Sequence, residues 1–441
     1  MKKYIFIVSL LCLLAACTGK RQGEAAAKVA ALPAVEDVVM YQVNPRVFAS
    51  EKSFKVVERR LDSIQALGIN VVWFMPINEV GQEKSVNSPY CVKDYKGVNP
   101  EFGTLDEFKA LVATCHQKGM NVIIDWVANH TSWDNAWIVN KEWYTQDEAG
   151  NIIFPAGTGW KDVADLNFDN QEMRLAMIEA MKFWVTAIGI DGFRCDAADF
   201  VPFDFWKQAL DSLRAIPDRS LLMLAEGKRR DHFDAGFDMN YSWDFLESLR
   251  DVFVKDAPAQ ELFVTDKAEY DTIPVGKVKL RFTTNHDESA KMSPAKEFGD
   301  VRGSMAAFVL TAYLHGGALI YGSQEAGYPE AINFFTYVPV DWMGNSELYQ
   351  EYCRLMALYN EYPVIRKGAL KTYPQPDVLL FEKQDGKDRV LVAVNVRNRE
   401  VNVTLPQEWN GHPSKDMYSG TEQKLEAELS LCPYQYRIFR Y

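Results

Sequence analysis

The feature that most constrains the fold of this chain is a regular alternation of short apolar runs with stretches of helical periodicity. Eight runs rich in Val, Ile, Leu and Phe occupy positions 38–48, 69–77, 121–130, 190–199, 221–227, 237–243, 278–287 and 318–327. Helix-like stretches lie between them, for example Val56–Leu67, Leu105–Lys118, Glu172–Ile188 and Asp204–Leu213. Near-continuous apolar strands that alternate with helices are typical of parallel sheets buried on both faces. Eight such units predict an α/β fold, a closed (β/α)8 TIM barrel.

Two segments depart from this pattern. Residues 131–166 are rich in Trp and Gly and have no strong period, which predicts a loop-rich insertion after the third strand. After about residue 368, runs such as RVLVAVNVR and YQYRIFRY alternate with DG, NG and SG turns, a pattern typical of antiparallel strands. We therefore predict a catalytic barrel over 36–367 and a C-terminal β-sandwich domain over 368–441.

The N-terminus has the features of a targeting segment. Two lysines precede an apolar stretch, Tyr4–Leu14, that is too short to span a bilayer. The following Leu-Ala-Ala-Cys resembles a bacterial lipobox, so we expect a signal peptide over 1–16 and acylation of Cys17. Residues 17–35 would be a tether, and the protein would be lipid-anchored at the periplasmic face or the cell surface. The alternative is an ordinary secretory signal with a chance cysteine.

Charge and cysteine content narrow the classes of partner. The net charge of −12 argues against a nucleic-acid partner, because phosphate contacts require clustered Lys and Arg. Five of the seven cysteines lie outside the targeting segment, and their spacing matches neither a close pair nor a metal site. Cys195, beside an acidic residue on a strand, is expected to point into the core.

Four of the apolar runs end in polar segments, DWVANH, GFRCDAAD, LAEG and TTNHD. They contribute four carboxylates, one arginine and two histidines: Asp125, Asp196, Glu226, Asp287, Arg194, His130 and His286. The carboxyl ends of parallel barrel strands converge on one mouth, where such barrels carry out chemistry. Carboxylates in one cleft suit glycoside hydrolysis, which needs a proton donor and an anion facing the sugar carbon. Arg194 lies on the same strand face as Asp196 and would keep that carboxylate ionised.

The four segments, in this order, resemble the α-amylase family of retaining glycoside hydrolases, glycoside hydrolase family 13. The resemblance extends over residues 36–441 and implies a catalytic barrel, an inserted subdomain and a C-terminal β-domain. By the same resemblance Asp196 is the nucleophile and Glu226 is the acid/base. Asp287 is then the third carboxylate, which holds sugar hydroxyls and favours the oxocarbenium-like state.

The resemblance also assigns residues that bind substrate. His130 and His286 match the two histidines that donate to sugar hydroxyls beside the cleaved bond. Tyr90 matches the tyrosine that stacks under the sugar, although Ser88-Pro89 replaces the usual His-Gly before it. Asp125, at the end of the third strand, is expected to organise the mouth.

The resemblance indicates no cofactor for the chemistry but suggests a structural Ca²⁺. Asn129 matches one calcium ligand of the family. Phe200 stands where another ligand, a histidine, is usual, and Asp199 replaces the lysine before it. An oxygen-loving cation would then need a loop carboxylate such as Asp162.

Two further segments bear on specificity. VADLNFDN (163–170) and DAADFVPFDFW (196–206) resemble motifs of oligosaccharide-active, cyclomaltodextrin-cleaving and pullulan-cleaving members.

The main prediction is an amylase-like hydrolase of α-1,4-glucans and maltooligosaccharides. The alternatives are a neopullulanase or cyclomaltodextrinase, and an α-1,6-glucosidase or transglycosylase. A non-catalytic glucan-binding lipoprotein is disfavoured because all three catalytic carboxylates are present.

Overall fold

The protein contains a closed barrel of eight parallel strands, which confirms the predicted TIM barrel. A computed structural model describes residues 31–441. The barrel strands are β1 Val39–Val43, β2 Val71–Phe74, β3 Asn121–Trp126, β6 Gly192–Cys195, β7 Leu222–Ala225, β8 Met239–Tyr241, β9 Val278–Arg281 and β10 Gly317–Tyr321. Around the barrel they follow the order β1-β10-β9-β8-β7-β6-β3-β2. Each lies within or one residue beyond a predicted apolar run.

The helices follow the strands along the chain. They are α1 Pro45–Phe48, α2 Ser53–Ala66, α3 Leu105–Gln117, α4 Gln171–Phe183, α5 Phe203–Arg214, α6 Asp231–Ala235, α7 Trp243–Val254, α8 Glu261–Tyr270, α9 His286–Ser289, α10 Pro294–Glu297, α11 Val301–Tyr313, α12 Ser346–Glu361 and α13 Pro363–Lys367. The longer ones pack around the barrel, whereas α9 lies at its mouth. A capping box between Thr104 and Glu107 fixes the start of α3. A π-helical turn, Trp184–Ile188, continues α4 and ends at a left-handed glycine, Gly189.

The insertion after β3 is held by a small antiparallel pair. β4 His130–Ser132 pairs with β5 Val163–Asp165. Between them lie two short 3-10 turns, Ala136–Val139 and Lys141–Trp143. Tyr95, from the preceding loop, donates to the carbonyls of Val127 at 2.8 Å and His130 at 2.9 Å. The base of the insertion is therefore fixed against the barrel mouth.

The C-terminal part is a β-sandwich, as predicted. β11 Ala369–Tyr373, β12 Val378–Asp385, β13 Asp388–Asn395, β15 Pro413–Asp416, β16 Glu422–Lys424 and β18 Tyr436–Arg440 form a six-stranded sheet, and β14 Val401–Thr404 and β17 Glu428–Leu431 form a second sheet. Leu380 and Leu391 of the first sheet share a buried apolar cluster with Val403 and Leu431 of the second. Burial of these side chains holds the two sheets together.

Strand register brings the polar strand ends to one level. Asp125 of β3 is paired with Arg194 of β6, and Arg194 is paired with Leu224 of β7. At Gly192 (φ 152°) an added Cβ would lie 1.9 Å from the Leu222 carbonyl oxygen. Only glycine permits this approach of β6 to β7. The residues that follow these two strands are therefore close neighbours.

The predicted signal peptide, Cys17 and most of the predicted tether lie outside the described residues. Leu32 and Val35 pack against the barrel core. Within residues 31–441, no helix is long and apolar enough to cross a membrane.

Candidate active site

A cleft of about 260 Å³ opens at the carboxyl ends of the barrel strands. Six of the predicted site residues line it: Tyr90, His130, Asp196, Glu226, His286 and Asp287. Two more, Asp125 and Arg194, are buried beneath it and contact the lining residues. The structure thus brings together in one place all the catalytic and substrate-binding residues that the sequence predicted.

Arg194 is the centre of the cluster. Its Nη1 lies 2.7 Å from Asp125 Oδ1 and 2.8 Å from Asp196 Oδ1. Its Nη2 lies 2.8 Å from Glu226 Oε1 as an ion pair without hydrogen-bond geometry. The guanidinium, fully buried, also donates through Nε to Tyr241 Oη at 3.1 Å. One cation therefore orients three carboxylates.

The charges of this cluster do not balance when every group is ionised. Burial and the nearby Glu226 carboxylate raise the pKa of Asp196, and Arg194 opposes that shift. Burial raises the pKa of Asp125 to about 7. A buried site with three carboxylates and one guanidinium gains from retaining a proton near neutral pH. Such a proton is what a general acid must hold before it acts.

Asp125 links the cluster to the aromatic wall of the cleft. Its Oδ2 accepts from Trp73 Nε1 at 3.3 Å and from the Tyr90 hydroxyl at 3.1 Å. Its other oxygen is bound to Arg194, so the carboxylate is fixed on both sides. Its position beneath the mouth agrees with the predicted organising role.

A hydrogen-bonded chain runs from β1 to Asp125 through His286. Gln42 Nε2 lies 2.7 Å from His286 Nδ1, and His286 Nε2 lies 2.6 Å from the Tyr90 hydroxyl. Burial lowers the pKa of His286 to about 3, so the imidazole is neutral and carries one N–H. With Gln42 donating to Nδ1, Nε2–H donates to Tyr90, which in turn donates to Asp125. The Tyr90 and His286 rings stack, with centroids 5.3 Å apart.

His130 and Asp287 are the other two predicted residues that line the cleft. His130 packs edge-on against Trp160, with centroids 5.6 Å apart, and burial lowers its pKa to about 4. Asp287 lies 3.4 Å from His286 Nε2, and its side chain is 39% exposed. Burial of the surrounding site raises the pKa of Asp287. Asp287 is the carboxylate most open to a ligand entering the cleft.

The backbone at Ala197, directly after Asp196, has a strained conformation that directs its N–H to Glu226. Ala197 adopts a left-handed conformation, φ 44° and ψ 41°, which costs a non-glycine residue about 1–2 kcal/mol. In this conformation the Ala197 N–H donates to Glu226 Oε2 at 2.6 Å. Strain retained at such a point is typical of functional sites. Here it holds the Glu226 side chain beside Asp196.

Sequence reasoning missed several residues of the site. Three of them lie within barrel strands: Gln42 in β1, Trp73 in β2 and Tyr241 in β8. A polar or amphipathic side chain within an otherwise apolar run is the sequence feature that could have indicated them. Phe334 packs 5.2 Å from His286 and comes from an unpatterned loop that offers no such signal. Arg46 fixes that loop by donating to the carbonyl of Phe335 at 2.9 Å.

The calcium ion suggested by the family resemblance stays a prediction. The Asn129 side-chain nitrogen lies 3.3 Å from His130 Nδ1, and Asn129 itself is buried. Nowhere between residues 31 and 441 do three or more His, Cys, Asp or Glu side chains cluster in a way that could hold a metal. No step below depends on a cation.

Comparison with known proteins identifies two family matches. The family described as alpha amylase, catalytic domain, matches residues 53–159 and 141–270. The family described as maltogenic amylase, C-terminal domain, matches residues 369–438.

Individual relatives agree with these matches. The chain is 26% identical to alpha-amylase MalA of Haloarcula japonica over 87% of its own length and 58% of that protein. It is 26% identical to a cyclomaltodextrinase of Geobacillus thermopakistaniensis, covering 86% of this chain and 68% of that one. Among solved structures, the maltogenic alpha-amylase AmyB of Thermotoga neapolitana superposes with a TM-score of 0.84 at 26% identity, over 93% of this chain and 99% of that one.

Proposed function

Since the chain belongs to the α-amylase family, glycoside hydrolase family 13, we propose that it is a retaining α-glucoside hydrolase of α-1,4-glucans and maltooligosaccharides. The observation that carries the proposal is the shared guanidinium. Asp196 and Glu226 each lie 2.8 Å from a different nitrogen of Arg194 at the floor of one cleft. Two adjacent carboxyl groups about 5–5.5 Å apart are what retaining hydrolysis requires.

In the first step, Asp196 attacks the anomeric carbon while the bond from that carbon to the glycosidic oxygen breaks. Arg194 keeps Asp196 ionised against the burial that raises its pKa. Glu226, held by the Ala197 N–H, donates its proton to the departing oxygen. The products of this step are a glycosyl ester on Asp196 and a shortened glucan with a new hydroxyl group.

In the second step, water attacks the same carbon and the ester bond to Asp196 breaks. Glu226, now ionised, takes the proton of that water. Two inversions at one carbon give net retention, so the released sugar has the α configuration. Both carboxyl groups are then restored to their starting protonation.

The remaining residues bind the sugar at the cleaved bond. Neutral His130 offers its N–H to a sugar hydroxyl, and Asp287 accepts from sugar hydroxyls. The one N–H of His286 is used by Tyr90, so His286 contributes to the cleft by holding Tyr90 in place. Tyr90, stacked on His286 and fixed through its hydroxyl, presents an aromatic face to the ring. These contacts support distortion of the bound ring toward the planar transition state.

A second candidate within the family is a cyclomaltodextrinase or neopullulanase. The segments 163–170 and 196–206 favour it, as does the relative named cyclomaltodextrinase. An α-1,6-glucosidase would use the same residues on a different linkage. Substrate preference separates these activities because the cleavage chemistry is common to all of them.

Product analysis on maltoheptaose, β-cyclodextrin and pullulan tests these proposals. We expect rapid cleavage of maltoheptaose and none by Asp196→Asn. Asp211→Asn, which changes an exposed helical carboxylate, is the matched control and should retain full activity. Preference for β-cyclodextrin or pullulan would select the second candidate, and no product from any substrate would support the non-catalytic glucan-binding alternative.

We also propose that Cys17 carries a lipid that anchors the protein to a bacterial membrane, facing the periplasm or the cell surface. The support is the sequence alone: a positive start, an apolar stretch and a lipobox-like Leu-Ala-Ala-Cys. Expression of Cys17→Ser beside the natural chain tests this. The variant should leave the membrane fraction, and its retention there would contradict the anchor.

A further inference from the structure

The loops that follow β2 and β10 are joined to each other at the mouth of the barrel. The Asn87 side chain donates through Nδ2 to the Phe335 carbonyl at 2.5 Å, although the two residues are 248 positions apart in the chain. Asn87 has a left-handed backbone (φ 65°), a conformation that Asn adopts more readily than most residues. We call residues 86–87 and 334–335 the loop bridge.

A buried arginine holds both halves of the loop bridge. Arg46 Nη1 donates to the carbonyl oxygens of Asn87 at 2.8 Å and of Phe335 at 2.9 Å, one on each loop. Its Nη2 lies 3.0 Å from Glu101, and the guanidinium is buried. A buried guanidinium has its donors in a fixed planar arrangement, so the two carbonyl groups that it binds are held at a fixed separation.

The loop bridge lines the cleft beside the residues that hold the sugar at the cleaved bond. Val86, Phe334 and Phe335 all belong to the cleft lining. The Phe334 ring is edge-on to two site rings, 5.2 Å from His286 and 6.1 Å from Tyr90. The cleft volume of about 260 Å³ is below the about 300–1,000 Å³ that is typical of pockets enclosing a whole small ligand. The enclosed part of the cleft therefore accommodates only a short piece of a glucan.

The order of the barrel strands shows which side of the mouth the loop bridge occupies. β1, which Arg46 follows, is four strands away from β7 in both directions around the barrel, and β10 is likewise four strands away from β6. Arg46 and the 334–335 loop are thus opposite the strands that lead into Glu226 and Asp196. Glu226 gives its proton to the departing sugar, so that sugar leaves on the side of β6 and β7. The other end of the bound chain points toward the loop bridge.

We propose that the loop bridge closes the cleft beyond the glycosyl group that is transferred to Asp196, so that the enzyme acts from the non-reducing end of a glucan chain. The proposal rests on the proposed function and specifies which substrates its site accepts. An internal linkage would reach Asp196 only if the chain continued through the loop bridge on one side and past Glu226 on the other. A chain end needs no passage through the bridge. The accepted substrates are therefore linear α-glucans with a free non-reducing end.

Two p-nitrophenyl maltoheptaosides test this proposal, one with a free non-reducing end and one whose non-reducing end is blocked by a 4,6-O-ethylidene group. Entry of the blocked chain requires the bridge to open. Three hydrogen bonds hold it, each worth about fivefold, so kcat/KM should be about a hundredfold lower on the blocked substrate. The first products from the free substrate should be one short sugar, glucose or maltose, and the correspondingly shortened glycoside. β-Cyclodextrin, which has no chain end, should remain intact.

Two variants separate the loop bridge from the chemistry. Asn87→Gly keeps the left-handed backbone and removes the side-chain bond to Phe335, and Phe335→Ala removes a ring that lines the cleft. Each should raise the ratio of kcat/KM on the blocked substrate to kcat/KM on the free substrate about fivefold or more. Asp218→Gly is the matched control and should leave the ratio unchanged. Asp218 is also exposed and left-handed (φ 57°), but it precedes β7 and so lies at the end of the barrel away from the mouth.

The outcomes distinguish this proposal from the proposed function. Comparable kcat/KM on the two glycosides, mid-chain fragments among the first products, or opening of β-cyclodextrin would each overturn action from the chain end while leaving a glucan hydrolase. An unchanged ratio in both Asn87→Gly and Phe335→Ala would overturn the role of the loop bridge. Failure of the natural protein to cleave the free glycoside would instead refute the proposed function.

Discussion

Replacing Arg194 by glutamine should move the acidic limb of the pH profile of kcat/KM to higher pH. Asp196 must be ionised to attack, and Arg194 is the cation that lowers its pKa against burial. Arg194→Gln removes that cation and leaves the raising effect of burial in place. The pKa of Asp196 therefore rises further, and a larger fraction of the enzyme is inactive at a given acidic pH.

The magnitude follows from the contact distance. An ion pair separated by about 4 Å between charge centres is worth about 4 kcal/mol at an effective dielectric constant near 20, and an opposite charge at that distance lowers a carboxyl pKa by about 1–3 units. Nη1 and Oδ1 lie 2.8 Å apart, and the charge centres of the guanidinium and the carboxylate, which lie behind these atoms, are therefore separated by about 4 Å. We expect the acidic limb to move up by about 1–3 pH units on maltoheptaose. Because the raised carboxyl groups bind protons in the folded state, the Tm of the variant should fall as pH rises from 4 to 8.

Arg281→Gln is the matched control for loss of a buried cation. Arg281 is also fully buried in the barrel, and its Nη2 lies 2.8 Å from Asp266 and 3.0 Å from Glu269. It contacts none of the cleft carboxylates by any ion pair found within residues 31–441. Its loss should lower the free energy of unfolding by an amount similar to the loss of Arg194, about 3–5 kcal/mol for an unpaired buried charge, without moving the pH profile. An unshifted limb in Arg194→Gln, or an equal shift in both variants, would refute the reasoning.

Three further outcomes follow from the structure. Tyr90→Phe removes a hydroxyl bound to His286 and Asp125 and should lower kcat/KM about tenfold to a hundredfold, which corresponds to about 1.5–3 kcal/mol; kinetics equal to those of the natural protein would exclude a catalytic role of the hydrogen-bonded chain. Gly276→Ala has open space around its Cβ and should cost only the left-handed strain, about 1–2 kcal/mol in urea unfolding. Gly192→Ala should cost about 1–3 kcal/mol more than that, because its Cβ also meets the β7 backbone; equal costs would contradict this. Dialysis against EDTA should leave both Tm and activity unchanged, and a fall in either would show a structural cation that the donor set does not indicate.

The sequence predicted the architecture because its signals are local. Each site strand is a short apolar run that ends in a polar segment. The same few residues therefore predict the strand and the position of the site residues at its carboxyl end. Arg194, Cys195 and Asp196 illustrate this, since alternation along a strand puts the first and third at the cleft and buries the second. The four family motifs then identified the carboxylates, and the barrel geometry brought them together.

The remaining features of the site depend on long-range packing. Phe334 approaches His286 only because Arg46, far away in the sequence, holds the Phe334–Phe335 loop. The left-handed conformation of Ala197 has no signal in a residue type that normally avoids it. Trp160 of the insertion packs against Phe200 of a separate loop, with ring centroids 5.7 Å apart. Neither local composition nor periodicity reports such contacts.

The measurement that tests the central claim most directly is capture of the covalent intermediate. The protein is incubated with a 5-fluoro maltosyl fluoride, whose intermediate breaks down slowly, and the digested chain is analysed by mass spectrometry. The account predicts one added glycosyl mass on the peptide that contains Asp196, and none in Asp196→Asn. A glycosyl mass on the peptide of Glu226 or Asp287 instead, or release of a β-configured product without any adduct, would contradict it.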